Sequence, residues 1–393
     1  MPNRLIFHID VNSAYLSWSA VEQLKCGAET DLRTIPSIVG GDIASRHGIV
    51  LAKSIPAKSY GIKTGEPVTH ALNKCPFLVS VKPDHKLYAK YSRELMELLS
   101  NFCPNIEQVS VDECYMDFTS CQGDYDSPIQ AATAIKDAVY DVFGFTVNIG
   151  VSCNKLLAKM ASDFQKPNRV HTLFPNEIPQ KMWPLPVGEL YMVGHSSAAA
   201  LHKLEIHTIG DLARTDAGIL VSHMKSHGKL IWEYANGMDD TPVETQEEEV
   251  KCVGNSTTLP KDALTAQEAK QVLRGLCDQV AGRLKTHGQL AGMVSTELKY
   301  ATFTRVSHQR QLPSATCSSR ELYAMSCRLF DELWNGEPIR LLGVRTSKLT
   351  QEKEPVQMNL FDLPRTQKEM KADQAMEELQ KRFGTNVIKK GWR

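Results

Sequence analysis

Three carboxylate residues stand at the ends of short apolar segments. Asp10 closes the run FHID, while Asp112 and Glu113 lie in SVDECYMDF, at the turn of an apolar hairpin. If the two segments are neighbouring strands, the three side chains converge, and such a cluster repels itself unless cations neutralise it. Oxygen ligands without His or Cys suit Mg²⁺ held together with substrate phosphates. The spacing alone leaves a second interpretation open, in which these are ordinary surface carboxylates at turns.

A pair of Mg²⁺ ions at such a cluster would promote transfer of a phosphoryl group. Two ions about 3.5–4 Å apart can hold an in-line displacement at phosphorus. One ion lowers the pKa of the attacking hydroxyl, and the other stabilises the leaving pyrophosphate. The proposed chemistry therefore depends on a fold that brings the two apolar segments side by side.

The elements around the carboxylates predict such a fold. Apolar runs predict strands and helical spacing predicts helices, in the order strand 5–11, helix 14–24, hairpin 106–118, helix 128–143, strand 145–151 and helix 154–164. Without an insertion between about 30 and 100, the order is β-α-β-β-α-β, the ferredoxin-like arrangement. In that arrangement the first strand lies beside the hairpin, so Asp10 would face Asp112 and Glu113.

Two further segments have a distinct composition. The insertion at 33–80 is rich in Gly and Pro and contains six basic residues against two acidic ones, which predicts a small appended module. Residues 185–215 predict two short helices joined by Val193-Gly194-His195, with Ile209-Gly210 opening the next helix.

The last third of the chain predicts a linker followed by a basic module. Residues 238–250 are polar and lack apolar periodicity, which predicts the linker. Residues 251–350 contain 14 basic and 8 acidic residues. Within this module the patterns predict helices at 265–287 and 318–335 and strands at 290–300 and 340–348.

Composition excludes several classes of protein. The 393 residues are 42% hydrophobic and 23% charged, with 45 basic and 45 acidic residues, which excludes a disordered tail, a collagen-like fibre and a disulfide-dense scaffold. We find no apolar stretch near the roughly 18 residues of a membrane span, and the first apolar run is too short for a signal peptide. The ten cysteines include no C-x-x-C pair, so we expect reduced thiols and a cytoplasmic location.

The motifs around the carboxylates resemble those of the Y-family DNA polymerases, error-prone enzymes that copy damaged templates. FHIDVNSAYLSW and SVDECYMDFT are similar to the catalytic palm of that family. Similar motifs continue in the same order with LAKSIPAKSYGIKTGEP, GVSCNKLLAKMASDFQKPN, VGHSSAAALHKLEIHTIGDLA, ANGMDDTPV and GNSTTLP. The resemblance implies an α+β multidomain fold, with a palm at 1–32 and 81–175, fingers at 33–80, a helix-hairpin-helix thumb at 176–240, a linker at 241–250, an α/β little finger at 251–350 and a tail at 351–393.

The resemblance also implies roles for residues of the palm. Asp10, Asp112 and Glu113 match the carboxylates that bind two Mg²⁺ ions, and the carbonyl of Val11 matches a backbone ligand. The three carboxylates are the implied catalytic residues, and Glu113 is the one expected nearest the primer terminus. Tyr15 matches the steric gate, an aromatic ring that leaves no room for the 2′-hydroxyl of a ribonucleotide.

Nucleotide-binding residues are implied in the palm and in the fingers. Backbone N–H groups at Ser13, Ala14 and Tyr15 open a helix and can receive phosphates, and Lys166 matches a triphosphate-binding lysine. In the fingers, many family members have a Tyr and an Arg where this chain has Ile55 and Lys58. Because lysine is a point charge and not a planar fork, we expect a weaker grip on the triphosphate. Ser54 is a further candidate hydroxyl, whereas Asn12 is not counted as a ligand.

Partners are implied by the rest of the chain. Val193, Gly194 and His195 match the thumb hairpin that points backbone N–H groups at a DNA phosphate, although Ser196 replaces the second hairpin glycine. Basic residues of 251–350 would contact phosphates without reading bases. Gln357, Leu360 and Phe361, in QMNLF, resemble the motif that docks bacterial polymerases onto the sliding clamp, and a helix is predicted at 366–383.

Together these observations predict a monomeric, low-fidelity DNA polymerase that extends a primer 3′-hydroxyl with deoxynucleoside triphosphates on a DNA template. Its expected partners are primer–template DNA, nucleotides and the sliding clamp, and no membrane. Two alternatives stay open: a nucleotidyl cyclase on the same palm, which would need no hairpin, basic module or clamp motif, and an inactive DNA-binding or scaffold subunit.

Overall fold

A computed structural model describes residues 4–42, 48–245 and 249–351. The described residues divide into two compact units, with the boundary between residues 248 and 249. Among the described residues, no helix is both long enough and apolar enough to cross a membrane. The finer division into palm, fingers, thumb, linker and little finger stays a prediction.

The first unit is a mixture of short strands and helices. In chain order it contains β1 (Ile6–Val11), α1 (Ala14–Lys25), β2 (Ser37–Gly40), β3 (Val50–Lys53), α2 (Ile55–Ser59), α3 (Val68–Lys74), β4 (Val79–Val81), α4 (His85–Ser100), β5 (Ile106–Gln108), β6 (Glu113–Asp117), α5 (Pro128–Phe143), β7 (Val147–Ser152), α6 (Lys155–Asp163), β8 (Val170–Thr172), α7 (Ile178–Lys181), α8 (His195–His202), α9 (Ile209–Arg214) and α10 (Ala217–Ala235).

The central sheet of this unit has the strand order β5-β6-β1-β7-β8. Strand β1 lies between β6 and β7 and is antiparallel to both, and every residue of β1 and β7 is buried. The order β1-α1-β5-β6-α5-β7 confirms the predicted ferredoxin-like arrangement. The sequence analysis missed β8, a three-residue strand that pairs in parallel with β7.

The insertion forms a small sheet with its own apolar core. Its strand order is β3-β2-β4, and the core includes Ile38, Val50, Ala57 and Ile62. Helix α2 begins after Ser54, whose hydroxyl accepts a hydrogen bond from the N–H of Ala57. This cap explains why so short a helix forms directly after β3.

The predicted pair of helices at 185–215 needs a correction. The first is a single 3₁₀ turn, Val187–Glu189, because the backbone becomes extended at Leu190 and Met192 adopts a left-handed conformation with φ of 71°. Gly194 caps the second helix, α8, which begins at His195. Helix α9 does begin at Ile209, as predicted, with Thr208 and Asp211 forming a capping box.

The second unit is a four-stranded antiparallel sheet with two helices. Its elements are β9 (Cys252–Ala263), α11 (Ala266–Thr286), β10 (Gln289–Tyr300), β11 (Arg305–Thr316), α12 (Ser319–Leu333) and β12 (Ile339–Gln351), and the strand order is β11-β10-β12-β9. Helices α11 and α12 and strands β10 and β12 were predicted, whereas β9 and β11 were missed. Strand β11 is mostly exposed and polar, so it lacks the apolar alternation that marks a strand in sequence.

Candidate active site

The three carboxylates lie at one end of the two central strands. Asp10 pairs with Glu113 across the β1–β6 ladder, and the N–H of Val11 donates to the carbonyl of Asp112 over 3.0 Å. The turn before β6 is closed by Ser110, whose hydroxyl accepts from the N–H of Glu113 and donates to Asp112 Oδ1 over 2.7 Å. The backbone therefore brings all three predicted carboxylates to one place.

Two lysines neutralise this group of carboxylates. Lys166 Nζ contacts Asp10 Oδ2, and Lys159 Nζ lies 2.8 Å from Glu113 Oε1. Asp163 links the two lysines, at 2.8 Å from Lys166 and 3.5 Å from Lys159. In the part of the chain that the structure describes, no three acidic, His or Cys side chains converge tightly enough to form a ready-made metal site. Lysine side chains are therefore the cations that balance the charge of Asp10 and Glu113 in this structure.

Burial sets the electrostatics of the site. Only 5% of Asp10 is exposed, and this burial raises the pKa of its carboxyl group even though the charge of Lys166 opposes the shift. Burial also lowers the pKa of Lys159 and Lys166, but their ion pairs outweigh it, so both pKa values end above the usual one. Both ammonium groups therefore stay charged and compensate the buried carboxylate.

A neutral histidine lies beneath Glu113. Burial, followed by the charges of Lys159 and Lys166, holds the pKa of His8 well below its usual value. Its Nδ1 lies 2.8 Å from Ser162 Oγ, and its Nε2 lies 3.9 Å from Glu113 Oε2 with no hydrogen-bond partner among the described residues. The sequence analysis did not identify His8 or Lys159, although both stand within its quoted motifs.

Asn12 and Asn148 hold the turn that presents Lys166. The Asn12 side chain accepts from the N–H of Asn168 over 2.9 Å and donates to Asn148 Oδ1 over 3.1 Å. Asn148 Nδ2 donates to the carbonyls of Ser162 and Gln165. Asn12 is therefore not free to act as a ligand; it fixes the Lys166 turn. Asn148 was missed, and its signal was a single amide in an otherwise apolar strand.

Tyr15 is held in place by other aromatic rings. Its ring stacks on Tyr88, with centroids 4.3 Å apart and planes 11° apart, and it meets the His85 ring edge-on, with centroids 6.0 Å apart. Tyr88 is only 1% exposed, and its hydroxyl lies 3.0 Å from Ser19 Oγ. Burial and the charge of Asp112 raise the pKa of Tyr15. The ring is therefore a fixed, neutral surface, and Tyr88 is a supporting residue that the sequence did not reveal.

A cavity of about 680 Å³ opens beside these residues. Among its lining residues are nine that the sequence analysis proposed, Asp10, Val11, Ser13, Ala14, Tyr15, Ser54, Lys58, Asp112 and Lys166. Glu113 is not in the lining. Ser13 adopts φ of 49°, the left-handed conformation that turns the chain from β1 into α1. The palm and the insertion therefore share one cavity of the size typical for a small-molecule ligand.

The insertion contributes further groups to this cavity. Lys53, Thr64 and Arg33 also line it. Lys53 Nζ donates to Thr64 Oγ1 over 3.1 Å, and burial together with the charge of Lys58 lowers the pKa of Lys53. The hydroxyl of Ser54 already donates to one carbonyl and accepts from two N–H groups. Its proposed contact with nucleotide stays a prediction, and its observed role is to cap α2.

The remaining predicted residues lie elsewhere or outside the described chain. Val193 is buried, while Gly194 and His195 are exposed at the start of α8, and none of the three lines the cavity. Gln357, Leu360 and Phe361 and the predicted helix at 366–383 lie outside the described residues.

Comparisons with known proteins agree with this architecture. Residues 9–163 match the impB/mucB/samB family and residues 250–360 match the C-terminal domain of that family. DNA polymerase IV of Clostridium acetobutylicum is 44% identical over 386 residues, which is 98% of this chain and 97% of the relative. DNA polymerase IV 1 of Bacillus subtilis is 34% identical over 392 residues, 99% of this chain and 93% of the relative.

A solved structure shows the same fold. A Y-family DNA polymerase chimera of Dbh and Dpo4 superposes with a TM-score of 0.77 at 21% identity and covers 88% of this chain and 99% of its own. The chain therefore belongs to the impB/mucB/samB family, as a Y-family DNA polymerase of the DNA polymerase IV type.

Proposed function

We propose that this chain is a template-directed, low-fidelity DNA polymerase that extends a primer 3′-hydroxyl with deoxynucleoside triphosphates during translesion synthesis. The observation that supports this most directly is the group of Asp10, Asp112 and Glu113, two of which, Asp10 and Asp112, line a cavity together with Tyr15 and basic residues. A cavity lined by both carboxylates and cations suits a polyanionic substrate held together with metal ions.

The donor set fits Mg²⁺. Asp10, Asp112, Glu113 and the carbonyl of Val11 offer oxygen only, which is the ligand type that Mg²⁺ prefers. When bound, two such ions would activate the primer hydroxyl and neutralise charge on the leaving pyrophosphate. The contacts of Lys166 with Asp10 and of Lys159 with Glu113 support this fit, because they show that these carboxylates accept cationic partners in the folded chain.

The residues of the chain would bind and orient the nucleotide. The N–H groups at the start of α1 would donate hydrogen bonds to phosphate oxygens, and Lys58 and Lys166 would add positive charge, since both line the cavity. Lys53 is a further candidate, since it lines the same cavity beside Lys58. The Tyr15 ring, supported by Tyr88, would lie against C2′ of the sugar. Catalysis by these groups is mainly positioning and charge neutralisation.

The rest of the chain would hold DNA and the clamp. We assign the start of α8, at Gly194 and His195, to a DNA phosphate, and some of the basic residues of the second unit to further phosphates. Gln357, Leu360 and Phe361 would dock the chain on the sliding clamp. The protein would act as a cytoplasmic monomer.

Primer extension tests the proposed function. Purified protein with Mg²⁺, nucleotides and a primed template should extend the primer, whereas an Asp112→Ala/Glu113→Ala variant that still binds DNA should not. The inactive scaffold alternative predicts DNA binding without extension by either protein, so that result would refute the proposal. Replacement of Gln357, Leu360 and Phe361 by Ala should abolish stimulation by the clamp and leave unassisted synthesis unchanged.

A further inference from the structure

An exposed aromatic residue marks the turn between β10 and β11 in the second unit. Phe303 is 60% exposed and adopts φ of 68°, a conformation that a bulky side chain rarely takes. Hydrogen bonds from Tyr300 N to Thr304 O and from Phe303 N to Tyr300 O, both 2.9 Å long, close the turn. The turn therefore holds a large apolar ring in solvent by means of a strained backbone, which is a common feature of binding sites.

Two cations lie over this one ring. Lys299 Nζ is 4.5 Å from the centre of the Phe303 ring, and the guanidinium carbon of Arg340 is 4.8 Å from it. Neither cation has a carboxylate partner among residues 4–42, 48–245 and 249–351. The two charges are thus closer than a Debye length, about 10 Å at 0.1 M salt, and they repel each other without a protein anion between them.

Three other cations of the same unit are neutralised by carboxylates. Arg305 pairs with Glu297 at 2.8 Å, Arg310 with Glu332 at 2.7 Å, and Lys270 with Asp331 at 2.7 Å. Lys270 also lies over an aromatic ring, that of Phe330, but that ring is buried. These three cations each have a carboxylate partner, whereas Lys299 and Arg340 at Phe303 have none among the described residues.

A β-bulge directs Arg340 to the ring. On β12, Ile339 pairs with Tyr300 and Leu341 pairs with Lys299, so Arg340 is an extra residue between two successive partners. The pairing of β12 with β9 shifts at the same residue. Bulges of this kind re-aim side chains and are frequent beside functional sites.

We infer that Lys299, Phe303 and Arg340 form a binding site for one nucleotide unit of a DNA strand. This inference rests on the proposed function for the identity of the ligand. The two unpaired cations bind a backbone phosphate, and the exposed part of the Phe303 ring packs on the adjoining base or sugar. A phosphate relieves the repulsion between the cations, and an aromatic ring accepts any nucleotide, so the site contributes affinity without sequence preference.

The salt dependence of DNA binding tests this site. Binding of the full chain to a labelled primer–template is measured by fluorescence anisotropy from 50 to 200 mM salt, without Mg²⁺ or nucleotide. Because each phosphate contact contributes about 0.9 to the slope of log affinity against log salt, and the two cations bind one phosphate, Lys299→Met/Arg340→Met should make the slope shallower by about one. The matched control, Lys270→Met/Arg310→Met, removes the same charge from cations that already have anions and should leave the slope unchanged.

The variant Phe303→Ala tests the contribution of the ring to DNA affinity. It should weaken binding by roughly threefold or more at every salt concentration and leave the slope unchanged, because a ring releases no counterions. If the salt slope of the Lys299→Met/Arg340→Met variant is unchanged, or if the control changes it equally, the proposed binding site is wrong. Since the assay requires no chemistry, a chain that binds DNA through this site but extends no primer contradicts only the proposed function.

Discussion

The support of Tyr15 by Tyr88 makes a prediction about sugar selection. The two rings stack with centroids 4.3 Å apart, and Tyr88 is buried, so it contacts Tyr15, the proposed steric gate, and does not line the cavity. Tyr88→Leu keeps an apolar side chain there but removes the stacked ring. We expect the Tyr15 ring to gain freedom and the polymerase to accept ribonucleotides more readily.

The size of this effect follows from the energy of the ring pair. An aromatic pair contributes about 0.5–1.5 kcal/mol beyond its buried area. Since 1.36 kcal/mol corresponds to a factor of ten in rate, loss of the full amount would reduce discrimination by about two- to tenfold. Tyr15→Ala sets the upper limit, because it removes the gate itself, and Tyr88→Leu should fall between that variant and the unchanged chain.

The assay compares kcat/KM for a ribonucleotide and the matching deoxynucleotide in single-nucleotide extension. Tyr88→Phe is the matched control, because it keeps the ring and removes only the hydroxyl that lies 3.0 Å from Ser19 Oγ. Thermal unfolding of each variant shows whether the fold is kept. If Tyr88→Leu discriminates as well as the unchanged chain, or if Tyr88→Phe loosens selection equally, the idea of a supported gate is wrong.

Three other substitutions test the assembly of the site. Lys159→Met should lower kcat in the extension assay by about 10–100-fold, since it removes the partner that orients Glu113. The control, Lys155→Met, lies one turn earlier and removes a lysine that pairs with Glu107 at 2.7 Å, so it should change kcat little. Gly150→Ala should lower the free energy of unfolding by about 3 kcal/mol in denaturant titrations, because its Cβ would overlap the Ala158 carbonyl oxygen where α6 packs on β7. Lys58→Arg should lower KM for the nucleotide by roughly two- to tenfold, because a planar fork can bind phosphate through two hydrogen bonds; an unchanged KM would exclude Lys58 from the triphosphate site.

The central sheet could be predicted because its signals are local. Strands β1 and β7 are continuous apolar runs, and residues that favour helix ends lie at both ends of α5. Ser127 caps the first turn, Pro128 occupies the first helical position, and Gly144 ends the helix with φ of 79°. Such boundaries follow from residue type alone, and the ferredoxin-like order then places Asp10 beside Glu113.

The partners of the carboxylates could not be predicted in the same way. Lys159 is 46 residues from Glu113 in the chain, and their contact depends on how closely α6 packs on the sheet. Tyr88 lies on α4, between the 33–80 insertion and the hairpin at 106–118, where the sequence analysis assigned no helix. Strand β11 is stabilised by its ladder with β10 and not by an apolar face, so tertiary pairing decided its conformation.

The lysine pairs explain how the folded chain tolerates a buried carboxylate at the proposed active site. A buried carboxylate without a partner would cost several kcal/mol, and Asp10 avoids this cost through Lys166. Metal binding under the proposed function would then exchange one cation for another instead of filling an uncompensated site. The released Lys166 lines the same cavity as Lys58, where a triphosphate would need positive charge. Metal binding and nucleotide binding would therefore favour each other, because the metal would release Lys166 from Asp10 and the triphosphate would bind the released Lys166.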